Sequence, residues 1–214
     1  MVKCFLKKVS RKQTNSGRDV PNCASNQAES GMSKVFIGGS RQISRLNAEV
    51  QSRLRQIIEK RLDVLVGDAN GADKAVQSFF SEHHYPNVVV FCTAGECRNN
   101  LGNWRVTPVR PPHLTRDFEF FTAKDAAMAG EADFGLMLWD GKSAGTLVNV
   151  ARMVASKKPV VLFTRLTRRF KTVKSREELA AVLSACPAEV CSRVGAYIAE
   201  YAREFAQPSM FNTC

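Results

Sequence analysis

The sequence predicts an α/β fold: a Rossmann-like, doubly wound, mostly parallel five-stranded sheet with C-terminal helices. Three observations lead to this prediction. Short, almost wholly apolar stretches alternate along the chain with segments of helical periodicity. Strands of that composition are typical of a parallel sheet covered on both faces. Three glycine-rich turns each follow such a stretch and precede a helical segment, as ligand-binding loops do in doubly wound sheets.

The predicted strands are the apolar stretches at 34–38, 63–67, 88–91, 133–139 and 159–164. Helices are predicted between them at 47–61, from the second glycine-rich turn to His83, at 117–129 and from Thr146 onwards. Right-handed crossovers between these strands produce the doubly wound order. Two further helices, at 175–185 and 188–206, close the chain.

The first helix shows the pattern most clearly. Val50, Leu54 and Ile57 fall on one helical face, and Asn47 precedes them as the predicted N-cap. Residues 93–115, with three prolines and two glycines, predict an irregular segment instead. The basic cluster within 165–174 is interpreted as a solvated edge.

Three regions follow from these patterns. Residues 1–31 are polar and aperiodic, which predicts a mobile N-terminal extension, and Met32 is a candidate natural start. Residues 32–164 form the predicted Rossmann-like ligand-binding domain. Residues 165–214 are predicted to be a helical extension that packs on this domain or on a second subunit, so a homodimer is one expected arrangement.

The composition limits the partners. The net charge of +11 permits an anionic partner, from a nucleotide to a nucleic acid, without specifying one. No apolar run approaches the roughly 18 residues of a membrane span, and residues 1–31 lack the apolar centre of a signal peptide. We therefore expect a cytoplasmic protein with no membrane partner. The seven cysteines are interpreted as reduced thiols, and neither a metal site nor a cofactor is predicted.

The three glycine-rich turns are the candidate ligand-binding elements. Loop one is 38–41 (GGSR), loop two is 67–73 (GDANGAD) and loop three is 140–146 (DGKSAGT). Ligands of doubly wound sheets bind beyond the carboxyl ends of the strands, so the loops are expected to converge on one edge. Backbone N–H groups, helix N-termini and Lys142 together favour a phosphate-bearing ligand. Unoccupied turns are the alternative.

Two common phosphate motifs are absent. A Walker A loop needs a glycine five residues before its Gly-Lys pair, and Leu136 stands at that position. Loop one lacks the Gly-x-Gly-x-x-Gly fingerprint of dinucleotide-binding domains. The sequence therefore argues against ATPase or kinase chemistry and against NAD binding.

The motifs "GGSR", "GDANGADKAV" and "ADFGLMLWDGKSAGT" resemble those of the SLOG superfamily. This superfamily groups Rossmann-like binders of nucleotides and their derivatives, including the LOG cytokinin-activating proteins and the DprA fold. The nearest branch is the DUF2493, YspA-like group, and the resemblance covers residues 34–164. It implies a phosphate or nucleotide pocket built from the three loops. The candidate ligand-binding residues are Gly38, Gly39, Ser40, Arg41, Gly71, Asp73, Arg116, Gly141, Lys142, Ser143, Gly145 and Thr146.

The resemblance also bears on catalysis. In the LOG branch a glutamate soon after the Gly-Thr turn carries the chemistry, and Asn149 stands at about that position here. Asparagine cannot act as a carboxylate base or nucleophile, which argues against phosphoribohydrolase activity of the LOG type. Asp140 and Asp117 are the remaining candidate catalytic carboxylates, although Asp140 could instead fix its loop and Asp117 could cap a helix.

The function predicted from these residues is binding or sensing of a nucleotide or a nucleotide-derived phosphate. One alternative is an N-glycoside hydrolase or transferase acting on a nucleoside phosphate. A further alternative, based on the basic charge, is binding of single-stranded nucleic acid.

Overall fold

The computed structural model describes residues 32–93, 97–111, 115 and 118–206. The predicted extension 1–31 and two predicted site residues, Arg116 and Asp117, lie outside the described residues. The strands are β1 Lys34–Gly39, β2 Asp63–Gly67, β3 Val88–Thr93, β4 Arg105–Val109, β5 Phe134–Trp139, β6 Val160–Thr164 and β7 Arg169–Val173. The helices are α1 Ala48–Glu59, α2 Ala72–Glu82, α3 Phe118–Glu131, α4 Ala144–Ala155, α5 Arg176–Leu183 and α6 Ala188–Ala206.

The sheet is mostly parallel, and the predicted α/β, Rossmann-like architecture is confirmed. The predicted number of five strands is wrong. Seven strands lie in the order β4-β3-β2-β1-β5-β6-β7, and the pairing of β6 with β7 is antiparallel. All five predicted strands are present, at the centre of the sheet, and the two additional strands form its edges.

Each additional strand lacks the apolar run that marks a central strand. β4 contains Pro108, which cannot donate a backbone hydrogen bond and is therefore confined to edge strands. β7 carries Arg169 and Lys171, both exposed, while Val173 is buried. Charged residues and proline at the edges of a sheet prevent further pairing with other chains. The features that hid these strands in the sequence are thus those that suit the edge of a sheet.

Side chains of successive residues point to opposite faces of the sheet, so each face has its own core. On β1, Val35 and Ile37 pack with α1 and α2, whereas Phe36 packs on the other face with α3 and α4. The N-cap predicted for α1 is confirmed, because Oδ1 of Asn47 accepts a hydrogen bond from the N–H of Val50 at 3.0 Å.

The two C-terminal helices pack against α4. Leu179 and Val182 from α5, together with Val190 and Val194 from α6, are buried in the same core as the apolar face of α4. No helix of the described residues is both long enough and apolar enough to cross a bilayer.

Candidate functional site

The candidate site lies where the order of the strands reverses. The chain builds outward from β1 to β4 and then returns to place β5 on the other side of β1. Loops one and three therefore leave neighbouring strands, whose register pairs Gly39 with Leu138. The N–H of Ser40 donates to the carbonyl of Leu138 at 2.9 Å. A crevice opens at such a switch point because the two connections run to opposite faces of the sheet.

The carboxylate of Asp140 joins these two loops. Its Oδ2 accepts a hydrogen bond from the hydroxyl of Ser40 at 2.9 Å. Its Oδ1 accepts from the N–H groups of Lys142 at 3.0 Å and Ser143 at 2.8 Å. Burial acts to raise the pKa of Asp140, but these donors outweigh it and hold the pKa below its ordinary value. A carboxylate occupied on both oxygens is poorly suited to proton transfer, which favours the loop-fixing role over the predicted catalytic one.

A cleft of about 1000 Å³ opens at this switch point. Most of the predicted site residues lie in its lining: Gly38, Gly39, Ser40, Arg41, Asp73, Asp140, Lys142, Ser143, Gly145 and Thr146. Gly71 and Gly141 are not part of this lining. Both have positive φ, 87° and 93°, and thus serve the shape of their loops.

The glycines that the sequence assigned to a phosphate differ in their surroundings. A side chain on Gly39 would collide with the carbonyl of Leu138 and approach the Cβ of Ala72 to 3.0 Å, so this glycine is required by packing. A side chain on Gly38 would meet the ring of Phe36 at 3.1 Å. A Cβ on Gly145, by contrast, would have no heavy atom within 4 Å. Gly145 is therefore the predicted glycine whose missing side chain leaves the cleft open.

Helix α4 begins in this open part of the cleft. Its N-cap residue, Ser143, makes no side-chain capping hydrogen bond. The hydroxyl of Ser143 lies 2.8 Å from that of Thr146 instead. The N–H groups of the first turn of a helix have no partner within the helix, and the helix dipole favours negative charge there. The start of α4 is thus suited to an anion that enters the cleft.

A charge cluster, of which the sequence predicts only Asp73, forms the floor of the cleft, where Asp73, Lys124 and Asp125 line it. The ammonium group of Lys124, on α3, lies 3.8 Å from Asp68, 3.4 Å from Asp73 and 3.2 Å from Asp125. Its side chain is 5% exposed. Within residues 32–93, 97–111, 115 and 118–206, no group of three or more His, Cys, Asp or Glu side chains could hold a metal ion.

Burial and neighbouring charges act in opposite directions on the pKa values of this cluster. Burial acts to lower the pKa of Lys124, but the three carboxylates outweigh it and raise the pKa well above its ordinary value. At Asp73 burial has the larger effect: it outweighs the charge of Lys124 and raises the pKa of this carboxyl group. For Asp68, hydrogen bonds from Arg98 and the charge of Lys124 outweigh burial and lower the pKa. Lys124 and Asp68 are therefore held in their charged forms, whereas burial favours the protonated form of Asp73.

Arg98 completes the cluster from the connection between β3 and β4. Its Nη2 donates to Oδ1 of Asp68 at 2.7 Å and its Nε donates to Oδ2 at 3.0 Å, a bidentate pair. The preceding residue, Cys97, forms a disulfide with Cys92 at the end of β3. The interpretation of all cysteines as reduced thiols is wrong for this pair.

Asn149 links the floor to the C-terminal helix. Its Nδ2 donates to Oδ2 of Asp125 at 2.8 Å, and its Oδ1 accepts from Nη1 of Arg152 at 2.7 Å. Nε of Arg152 donates in turn to the hydroxyl of Tyr197 on α6 at 2.8 Å. A carboxylate, that of Asp125, thus lies in the cleft directly beside the residue that replaces the expected glutamate.

One sequence signal could have revealed the cluster. Phe120, Lys124, Met128 and Ala132 recur at intervals of four residues, and all four are buried. A lysine on the apolar face of a helix is almost never fully buried unless it is paired. The predicted helix at 117–129 included this lysine and its neighbour Asp125, but the other two carboxylates, Asp68 and Asp73, come from loop two, about fifty residues earlier in the chain.

A scan of protein-family models and a search of curated proteins return no match for this chain. Among solved structures, it is similar to DNA processing protein A from Helicobacter pylori, described for its single-stranded DNA binding mode. The TM-score is 0.48 at 14% identity, over 79% of this chain and 82% of that chain. The YspA-like branch stays a prediction.

Replacing Lys124 with methionine should destabilise the fold strongly. The substitution leaves the carboxylates of Asp73 and Asp125 without their shared cation, while Asp68 keeps Arg98, and removing one partner of a buried ion pair costs about 3–5 kcal/mol of unfolding free energy. Urea denaturation at neutral pH measures this change. Lys142→Met removes the same charge from an exposed position and should stay within about 0.5 kcal/mol of the wild type. Equal stability of Lys124→Met and Lys142→Met would show that the buried cluster does not contribute to folding.

Replacing Asp140 with asparagine should weaken the acid dependence of stability. The pKa of Asp140 is lower in the folded chain, so the unfolded chain takes up a proton first as the pH falls. The stabilisation from Asp140 is therefore present above about pH 4 and is lost as the pH falls through the folded pKa. We expect the unfolding free energy to fall more steeply below about pH 4 in the wild type than in Asp140→Asn. Urea denaturation at several pH values measures the unfolding free energy of both proteins. The same fall with decreasing pH in the wild type and in Asp140→Asn would contradict this expectation.

Proposed function

We propose that the cleft binds a nucleotide or nucleotide-derived ligand through a phosphate group at the start of α4. The observation that carries this proposal is the geometry of that helix end. The N-cap residue of α4, Ser143, makes no side-chain capping hydrogen bond, and Gly145 leaves open space beside the first turn. Phosphate groups bind at helix N-termini because the N–H groups and the helix dipole both favour them.

The charges that line the cleft support the same ligand. Lys142, Arg41 and Arg165 contribute positive charge to the lining. The ammonium of Lys124 partly compensates the negative charge of Asp73 and Asp125 on the floor. An entering phosphate therefore meets the three cations of the lining, beside a carboxylate of Asp140 that is already hydrogen-bonded to its own loop, and a polar floor that suits a sugar.

Hydrolysis or transfer of the N-glycosidic bond is a second candidate function, favoured by the position of Asp125 in the cleft. The contacts of this carboxylate argue against a catalytic role. Its Oδ1 faces Lys124 and its Oδ2 accepts a hydrogen bond from Asn149, so both oxygens are occupied. A nucleophile or base needs an oxygen that reaches the reacting atom. We therefore propose binding without turnover.

A nucleotide that binds the cleft should raise the melting temperature. At a hundredfold excess over its dissociation constant, a ligand stabilises the folded state by about 2.7 kcal/mol, a rise of roughly 5–10 °C for a chain of this size. We expect this rise for at least one member of a broad panel of nucleotides. The corresponding nucleoside should produce much less, because it lacks the group that the start of α4 binds.

Two variants test whether the rise in melting temperature comes from binding at the start of α4. Gly145→Val places a side chain in the open space and should abolish the rise, whereas Lys142→Ala should reduce it less because the backbone donors remain. Gly130→Val is the matched control, since a Cβ there also has no heavy atom within 4 Å but Gly130 lies on α3 outside the cleft lining. A silent panel, or equal shifts with nucleoside and nucleotide, would refute the phosphate site.

The protein should not release free base from adenosine monophosphate. Asn149 replaces the expected carboxylate, and the neighbouring Asp125 is occupied by Lys124 and Asn149. Chromatography of free base after prolonged incubation tests this expectation. If base is released and Asp125→Asn abolishes the release while Asp140→Asn does not, the glycosidase alternative is correct and Asp125 carries it.

A further inference from the structure

A second cavity of about 280 Å³ lies beside the cleft. Its wall is apolar, with Val50, Leu138 and Phe163 among its residues, and three arginines also line it. We call this cavity, with Arg45, Arg165 and Arg168, the arginine pocket. All three arginines are exposed, so solvent screens their charges and an anion can reach their guanidinium groups.

The turn between β6 and β7 lies between the two cavities. Thr164 pairs with Arg169 in the antiparallel register, so Arg165–Arg168 form a four-residue turn. Leu166 lines the cleft and Arg168 lines the arginine pocket, whereas Arg165 lines both. The N–H of Arg165 donates to Trp139 at 2.8 Å and its Nη1 donates to the carbonyl of Gln42 at 3.2 Å. Arg165 is therefore held at the junction of the two cavities.

Among the described residues, the three arginines have no negatively charged partner. Within the part of the chain that the structure describes, none of Arg45, Arg165 and Arg168 forms a salt bridge. The described residues that line the arginine pocket include no carboxylate. Three like charges around one cavity repel each other, and a bound phosphate, which arginine recognises through paired N–H groups, would remove that repulsion.

The backbone provides an independent observation. Arg168 has φ of 52°, in the left-handed region that glycine or asparagine adopts more easily. Residues held in this region carry strain, and such strain concentrates at ligand-binding sites. The turn thus holds an arginine beside the arginine pocket although a glycine would fit its backbone with less strain.

We propose that the arginine pocket is a second anion subsite, so that the ligand carries two phosphate groups. This inference rests on the proposed function, which places the first phosphate at the start of α4. The second phosphate lies against Arg45, Arg165 and Arg168. The ligand class is a nucleotide with two phosphate groups, for which a nucleoside 3′,5′-bisphosphate is the probe.

Calorimetric titration of the full chain with nucleoside 5′-monophosphates and the matching 3′,5′-bisphosphates tests this inference. For the base that binds best, the bisphosphate should bind at least about tenfold more tightly than the monophosphate, as expected for a charge-assisted contact. In the double variant Arg45→Gln, Arg168→Gln, this ratio should fall to about two or less. Arg55→Gln, an exposed arginine on α1 outside both cavities, is the matched control and should keep the wild-type ratio.

The outcomes separate this inference from the proposed function. If monophosphates bind and bisphosphates bind no more tightly, or if the double variant keeps the ratio, the second subsite is refuted and the first remains. If neither class of nucleotide binds, both are refuted. A 5′-phosphorylated oligonucleotide series whose affinity keeps rising with every added nucleotide would overturn the two-phosphate ligand in favour of a nucleic-acid strand.

A single substitution tests the subsite in a variant that is expected to fold at least as stably as the wild type. Arg168→Gly removes the guanidinium group and relieves the left-handed backbone, so its melting temperature should be equal to or above that of the wild type. A lower ratio of bisphosphate to monophosphate affinity in this folded variant supports the subsite, and an unchanged ratio contradicts it.

Discussion

The close approach of β1 to β5 at the switch point is the constraint on which the candidate site depends. A side chain at Gly39 would collide with the carbonyl of Leu138, and Ala72 at the start of α2 lies against the same position. Glycine at this position therefore allows two strands and a helix to meet. Loops one and three leave that junction side by side, which brings the hydroxyl of Ser40 to Asp140. The packing of the sheet thus determines where the cleft opens.

Electrostatics stabilises the floor that this packing creates. A buried ammonium group is costly unless opposite charges surround it, and buried carboxylates without a cation are equally costly. Lys124 and its three carboxylates meet both needs, and they connect loop two, α2 and α3. Hydrogen bonds from Asn149 and Arg152 extend the network to Tyr197. The C-terminal helix α6 is therefore coupled to the cleft floor, although none of its described residues lines the cleft.

The sequence predicted the elements that local periodicity encodes. It did not predict the features that depend on residues distant in the chain. The central strands and the cap at Asn47 follow from apolar runs and capping chemistry, so both were predictable. The edge strands were missed because Pro108 and the basic residues of β7 suit an edge and carry no strand signal of their own. The residues of loops one and three were named, but Lys124 has a role only through carboxylates that the fold brings to it.

The amide at position 149 fits this site better than a carboxylate would. Asparagine offers both a donor and an acceptor, and its neighbours demand one of each: Asp125 can only accept, and Arg152 can only donate. A glutamate could accept from Arg152 but could not donate to Asp125, and it would place a further negative charge beside three carboxylates that share one lysine. Asn149 is therefore part of a complete network that stabilises the cleft floor. That network favours a site built to hold a ligand over one that has lost a catalytic group.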